Sequence, residues 1–223
     1  MKFKIEYVAM AFSILAFGVA AVSGWVYFDH RSKTQMSDSN VRTIIVANQA
    51  NLYLNPQDVV LGNPDGDVTL VEFSDYRCSA CKLAHPIVMK LLKDDGNVRY
   101  VVKEYPILGP VSVVAAKAAL ASQKQGGYAD FSNALMAART LDEARIFEIA
   151  TEVGLDAERL RADMAAFEGD ISATLAANAA LAKDLALQGT PAFIAGQTLV
   201  PGATSLAGLK HLMAAARDLR AGR

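Results

Sequence analysis

Hydrophobic and polar positions divide the chain into stretches of different character. From Val8 to Phe28 the segment VAMAFSILAFGVAAVSGWVYF contains no charged residue, and residues 29–40, DHRSKTQMSDSN, are polar. VRTIIVANQANLYL follows with apolar residues at mixed spacing, which suits a short helix. NPQDVVLGNPDGDV is full of turn formers, with Asp65-Gly66 the strongest turn signal. The β-branched run VTLVEF, bounded by turns, predicts a buried strand, and VRYVVKEYPI predicts a second. Between them CSACKLAHPIVMKLLKDD has helical periodicity and ends near Gly96. A strand, a crossover helix and a strand predict a parallel pair.

Residues 111–187 are rich in Ala, Leu and charge, with breaks at Gly126-Gly127, Thr140-Leu141 and Gly154-Leu155. LDEARIFEIATEVG begins with acids and ends at glycine, the start and stop signals of a helix. This stretch predicts four or five short helices and no candidate catalytic group. AFIA and TLVPG predict a hairpin around Gly196-Gln197, and an amphipathic helix is expected over about 206–219. The element order is βαβ, a helical block, a hairpin and a helix.

Composition narrows the location. The apolar run at 8–28 is long enough to cross a bilayer core, which takes about 20 residues, and Trp25, Tyr27 and Phe28 sit at one end as interfacial residues do. It reads as an uncleaved anchor following a cytoplasmic tail at 1–7. Cleavage of a signal peptide near AAVSG is the alternative. Residues 29–55 read as a stalk and 56–223 as an exported domain, at the periplasmic face of the inner membrane or soluble in the periplasm after cleavage. Ala16, Ala20 and Gly24 form a small-residue ridge that permits pairing of anchors, although alanine is simply abundant here; oligomerisation is open to anchor or stalk. A net charge of −1 and the lack of a basic run argue against nucleic acid as a partner.

The chain has two cysteines, Cys78 and Cys81, in FSDYRCSACKLAHP. A bridge between them closes too small a loop to restrain the unfolded chain much, so a structural staple fails. A metal site usually takes four ligands; Cys78, Cys81 and His85 supply three on one helix face, and His30 and His211 lie at the two ends of the chain. A redox centre fits better. Cys78 follows a strand and opens a helix, where unpaired N–H groups favour thiolate, the attacking species. Cys81, one turn further, is placed to displace a client from a mixed disulfide.

Glu72 interrupts the apolar strand, where an ion is costly without a role. Buried near Cys81, it is a candidate proton acceptor for that thiol, and Lys103 in VVKEY is the candidate partner for its charge. Pro86 removes an N–H inside the cysteine helix, so a kink is expected. In QGTPAF, Thr190-Pro191 opens a strand in a position suited to a cis bond and a client-binding edge.

GNPDGDVTLVEFSDYRCSACK, VVKEYPILGP and QGTPAF together resemble the DsbA family of thiol:disulfide oxidoreductases over about residues 56–220. The resemblance implies an α/β thioredoxin fold with an inserted helical block at about 111–187, here preceded by the N-terminal transmembrane helix. It also implies Cys78 as nucleophile, Cys81 as resolving thiol, Glu72 as the buried acid and Pro191 as the cis-proline. Pro86 matches the proline common in thioredoxin-like proteins. The dipeptide Ser79-Ala80 lacks the histidine of the best-known members. Threonine at 190 is similar to the isomerases and to the copper-sensitivity-suppressor and Com1-like branches. No cofactor is expected beyond the Cys78–Cys81 disulfide. The expected partners are unfolded or disulfide-bearing exported proteins and a membrane redox partner.

Overall fold

A computed structural model describes residues 37–222. The tail and anchor readings at 1–7 and 8–28, and the first part of the stalk, lie outside the described residues. Among the described residues no helix is long and apolar enough to cross a membrane. In chain order the elements are α1 (Asp38–Ala47), α2 (Gln49–Tyr53), β1 (Val59–Gly62), β2 (Val68–Ser74), α3 (Ser79–Asp94), β3 (Val98–Glu104), α4 (Pro110–Ser122), α5 (Tyr128–Ala137), α6 (Glu143–Glu152), α7 (Ala157–Ala166), α8 (Glu168–Asp184), β4 (Ala192–Ala195), β5 (Thr198–Pro201) and α9 (Leu206–Arg220). From Val41 onward they form one compact unit.

The sheet runs β1-β3-β2-β4-β5. The two strands flanking the cysteine helix pair in parallel, as expected of a crossover, and every other pairing is antiparallel. β2 and β3 read as near-continuous apolar runs because both faces of the sheet are covered. On one face Leu70, Tyr100 and Val102 pack with Ala84, Val88 and Leu91 of α3, with α9 and with the helical block. On the other, Val71, Phe73 and Val101 pack with Leu181 and Ala182 of α8. The break predicted at Gly126-Gly127 holds, and Gly126 adopts a left-handed φ of 71°, open to glycine without strain. A further break falls at Phe167, where LDAERLRADMAAF ends, at a position that is neither glycine nor proline.

Two expectations are corrected. The turn-rich stretch 55–67 contains the edge strand β1, paired to β3 from Val59–Val102 to Gly62–Arg99. Four residues among turn formers are too few to show a period. The stalk range of 29–55 also extends too far, because Ile45 and Leu52 are fully buried in the second core cluster. This end of the chain is latched by polar contacts as well. Arg99 Nη1 donates to the Tyr53 carbonyl at 2.8 Å, and the Tyr53 hydroxyl donates to the Gly196 carbonyl at 2.8 Å.

The strongest latch is Lys103. Its ammonium donates to Asp58 and, at 2.6 Å, to the Asn51 carbonyl, with both charged side chains buried. Burial pushes the Asp58 carboxyl up and the Lys103 ammonium down, and each partner's bond and charge oppose that push. Lys103→Met leaves the buried carboxylate without its bonded cation, so a loss of about 3–5 kcal/mol is expected in urea unfolding. Replacing Asp58 by Leu in the same chain is expected to recover much of it. A single-variant loss below about 1 kcal/mol would show that the pair does not hold this layer together.

Candidate active site

β2 delivers the cysteines to the edge of the sheet. After Ser74 the chain turns, the Cys78 N–H donating to the Asp75 carbonyl at 3.1 Å, and α3 begins with Cys78 as its N-cap. The turn is held by the Asp75 side chain. Oδ1 accepts from the Arg77 N–H at 2.7 Å and the Ser112 hydroxyl at 2.8 Å; Oδ2 accepts from the N–H groups of Ile107 and Leu108 at 2.8 and 3.0 Å. One buried carboxylate therefore ties the cysteine turn to the loop after β3 and to the start of α4. Sequence reading passed over Asp75; its only signal was an acid between Ser74 and Tyr76 in the turn itself.

Cys78 and Cys81 are both free thiols. The Cys81 N–H donates to Cys78 Sγ at 3.4 Å, within the range of a sulfur acceptor, and the Cys78 thiol donates to the Thr190 carbonyl at 3.2 Å. Cys78 retains 9% exposure and Cys81 none, so an incoming sulfur meets Cys78 first. Ser79 is exposed and Ala80 packs against the core. Pro86 lies on the exposed side of α3, which runs unbroken through it. The Thr190-Pro191 peptide is cis. Antiparallel pairing of Phe73 with Ala192 brings it alongside the cysteine turn.

Glu72 is buried on the same face as the cysteines, and the Tyr100 hydroxyl donates to its Oε2 at 2.6 Å. Burial raises its pKa to about 7, while the Tyr100 hydrogen bond and the nearby Ser74 hydroxyl pull it back. The Cys81 thiol is pushed up to about 12 by burial, against the pull of Thr190, the Asp75 backbone and Ser74. A thiol this reluctant to ionise needs a base when it must attack.

Lys103 is not the partner of Glu72. The register sets Glu72 beside Val102 and Phe73 beside Lys103, and side chains alternate between faces. Glu72 therefore faces the cysteines, whereas Lys103 faces α2 on the far side of the sheet. The charged residue that does share the Glu72 face is Glu104. Its Oε1 accepts from the hydroxyls of Tyr76 and Tyr128, each at 2.6 Å. Burial raises Glu104 to about 8; the tyrosine bonds lower it, and the charges of Asp75 and Glu72 raise it. Sequence reading missed Glu104, although an acid closing an apolar strand was the same signal that picked out Glu72. Tyr128 belongs to α5, so the helical block does supply a polar group to this site. Two further contacts dock that block on α3: the Lys82 ammonium donates to the Leu135 and Ala138 carbonyls, and His85 Nε2 bonds Asn133 Oδ1 at 2.8 Å. Among the described residues no cluster of three or more His, Cys, Asp or Glu is placed to hold a metal ion.

A family model described as Thioredoxin matches residues 54–215. A thioredoxin-like oxidoreductase from Silicibacter pomeroyi DSS-3 is 45% identical with a TM-score of 0.74, over 77% of this chain and 98% of that one. The thiol-disulfide exchange protein alpha-DsbA2 from Wolbachia pipientis is 28% identical with a TM-score of 0.76, over 80% and 96%. A periplasmic thioredoxin-like protein from Salmonella enterica serovar Typhimurium is 27% identical with a TM-score of 0.67, over 77% and 96%. Among curated proteins, the Na(+)/H(+) antiporter NhaA 3 of Salinispora tropica is 33% identical over 140 residues, which are 61% of this chain and 21% of that protein. The chain thus spans about a fifth of the length of the curated relatives it matches. With the cysteine pair at the start of α3, the buried acid beneath it and the cis-proline beside it, the chain belongs to the thioredoxin family and is DsbA-like.

Proposed function

We propose that Cys78 and Cys81 exchange disulfides with exported client proteins. The observation that carries this reading is the asymmetry of the pair: Cys78 caps α3, receives the Cys81 N–H and reaches solvent, while Cys81 is sealed behind it. In the oxidising direction a client thiolate attacks Cys78 Sγ, the Cys78–Cys81 bond breaks and Cys81 leaves as thiolate, taking a proton from the protonated Glu72. A second client thiolate then attacks the client sulfur bound to Cys78, which leaves as thiolate. Two electrons pass from the client to the cysteine pair. In the reducing or reshuffling direction Cys78 attacks the client disulfide, and Cys81, losing its proton to Glu72, resolves the mixed disulfide. Thr190 and Pro191 border Cys78, where an extended client segment can pair with exposed backbone.

The uncharged run at 8–28 supports an exported protein anchored at the periplasmic face, and likeness to a periplasmic thioredoxin-like protein supports the compartment. There the clients are unfolded or disulfide-bearing exported proteins, with a membrane partner resetting the cysteine pair. That partner's direction of electron flow decides between an oxidase and an isomerase or reductase.

Cys81→Ala is expected to accumulate a client mixed disulfide on Cys78, detectable by nonreducing electrophoresis, and Cys78→Ala to abolish both trapping and insulin reduction. Trapping on Cys81 in the Cys78→Ala chain would refute the order of attack. A copper-handling or chaperone module would instead show no disulfide turnover in the unmodified protein.

The two buried carboxyls also link stability to pH. Glu72 and Glu104 stand at about 7 and about 8, above the usual carboxyl value near 4.5. Below that usual value both are protonated, folded or unfolded, and add no cost. As pH rises from there through about 8 the unfolded chain releases these protons more readily, so stability falls by on the order of a few kcal/mol. Glu104→Gln keeps an acceptor for the tyrosines and removes the titration. Its thermal midpoint relative to the parent chain is expected to rise between about pH 5 and pH 9, and a constant difference would refute the linkage.

A further inference from the structure

Between β2, β3, α3 and α5 lies a small, partly open cavity whose polar lining comes from Ser74, Tyr76, Tyr100, Tyr128, His85 and Ser132. About 10 Å³ of it is open to the centre of a water molecule, roughly what one water needs. The tyrosine hydroxyls are engaged with Glu72 and Glu104. Ser74 is different. It is buried at 3% exposure, and its hydroxyl has no partner within ordinary hydrogen-bond geometry. Leaving such a group unpaired in a core is costly, so a buried hydroxyl without a fixed partner calls for a use.

The position of Ser74 suggests that use. It lies two residues beyond Glu72 on the same face of β2, directly across from Glu104 on β3, and next to the turn that leads to the cysteines. Glu72 and Cys81 both sense its hydroxyl, which favours the charged form of each. A hydroxyl donates one proton and accepts at its lone pairs, so it can receive a proton from a thiol while passing its own to a carboxylate.

We propose that Ser74 relays the proton between Cys81 and Glu72, with one water seated in the cavity linking the relay to His85 and solvent. This rests on the dithiol chemistry proposed above. When Cys81 attacks the mixed disulfide at Cys78, its S–H proton passes to Ser74 Oγ and the Ser74 proton passes to the Glu72 carboxylate. The new Cys78–Cys81 bond forms, the client sulfur leaves as thiolate, and Ser74 ends as it began. Glu72 then returns its proton through Ser74, which lines the cavity, and the cavity water to His85, which is half-buried on α3 with Nε2 against Asn133 of α5. The titratable groups around Ser74, its cavity and Glu72 are Cys81 and His85 from α3, Tyr100 and Glu104 from β3, Asp75 and Tyr76 after β2, and Tyr128 from α5; α9 packs here with the apolar Leu209, Leu212 and Met213.

The test uses a labelled peptide carrying an activated pyridyl disulfide. The first kinetic phase, release of the pyridinethione, reports attack by Cys78; the second, release of the peptide thiol, reports attack by Cys81. For the unmodified chain the second phase is expected to rise with pH and level off above the Glu72 value of about 7. In Ser74→Ala it is expected to be slower by about 10²-fold near pH 7, the low end for a positioned proton transfer, and to keep rising toward pH 9 without levelling. Ser74→Thr, which keeps the hydroxyl, is expected to restore both the rate and the plateau. A plateau near pH 7 that survives in Ser74→Ala overturns the relay alone, as does a Ser74→Thr variant that behaves like Ser74→Ala. If the unmodified chain shows no Cys81-dependent second phase, the oxidoreductase reading falls, and the relay with it.

Discussion

The parallel register between β2 and β3 is the constraint on which the rest of the site depends. Because side chains alternate along a strand, setting Glu72 opposite Val102 and Ser74 opposite Glu104 decides which polar groups share a face with the cysteines. A slip of one residue would turn Lys103 toward Glu72 and Glu104 toward the N-terminal helices. The observed register does the reverse: acids and tyrosines meet under the cysteine turn, and Lys103 binds Asp58 behind the sheet.

The cysteine face pays for its acids in a particular way. Among the described residues no cation pairs with Glu72 or Glu104, and their ionised forms are opposed by burial. Tyrosine hydroxyls satisfy them instead, and these bond to a carboxyl in either protonation state. The result is a pair of groups near neutrality in pKa beneath a thiol that ionises only at about 12. Asp75 is treated differently. With four donors on its two oxygens it serves as a fixed anchor, joining the cysteine turn to the loop after β3 and to α4.

Within the helical block, α5 reaches this chemistry through Tyr128 on Glu104, Asn133 on His85, and the carbonyls at its end on Lys82, while Ser112 of α4 bonds Asp75. Together with α3, α5 encloses the cavity lined by Ser74 and His85, so the docking of the block sets the size of that space.

Local pattern was enough for a good part of this protein. A β-branched run between turns makes β2 a strand, Cys78 at the junction of strand and helix is exposed to unpaired N–H groups, and Gly-Thr-Pro before AFIA puts a proline at a strand entrance; each depends on neighbours in the chain. The breaks at Gly126-Gly127 and Gly154 are of the same kind, since glycine accepts without strain the left-handed φ found at 126 and 154. Partnership across the sheet was not legible. Whether Glu72 meets Lys103 or Tyr100 turns on register, which is set by packing on both faces at once and leaves no trace in either strand's own pattern. The same holds for Ile45 and Leu52, whose mixed spacing hid a buried face, for β1, too short to show a period, and for the cavity between Ser74 and His85, which exists only because a helix more than fifty residues along the chain closes over it.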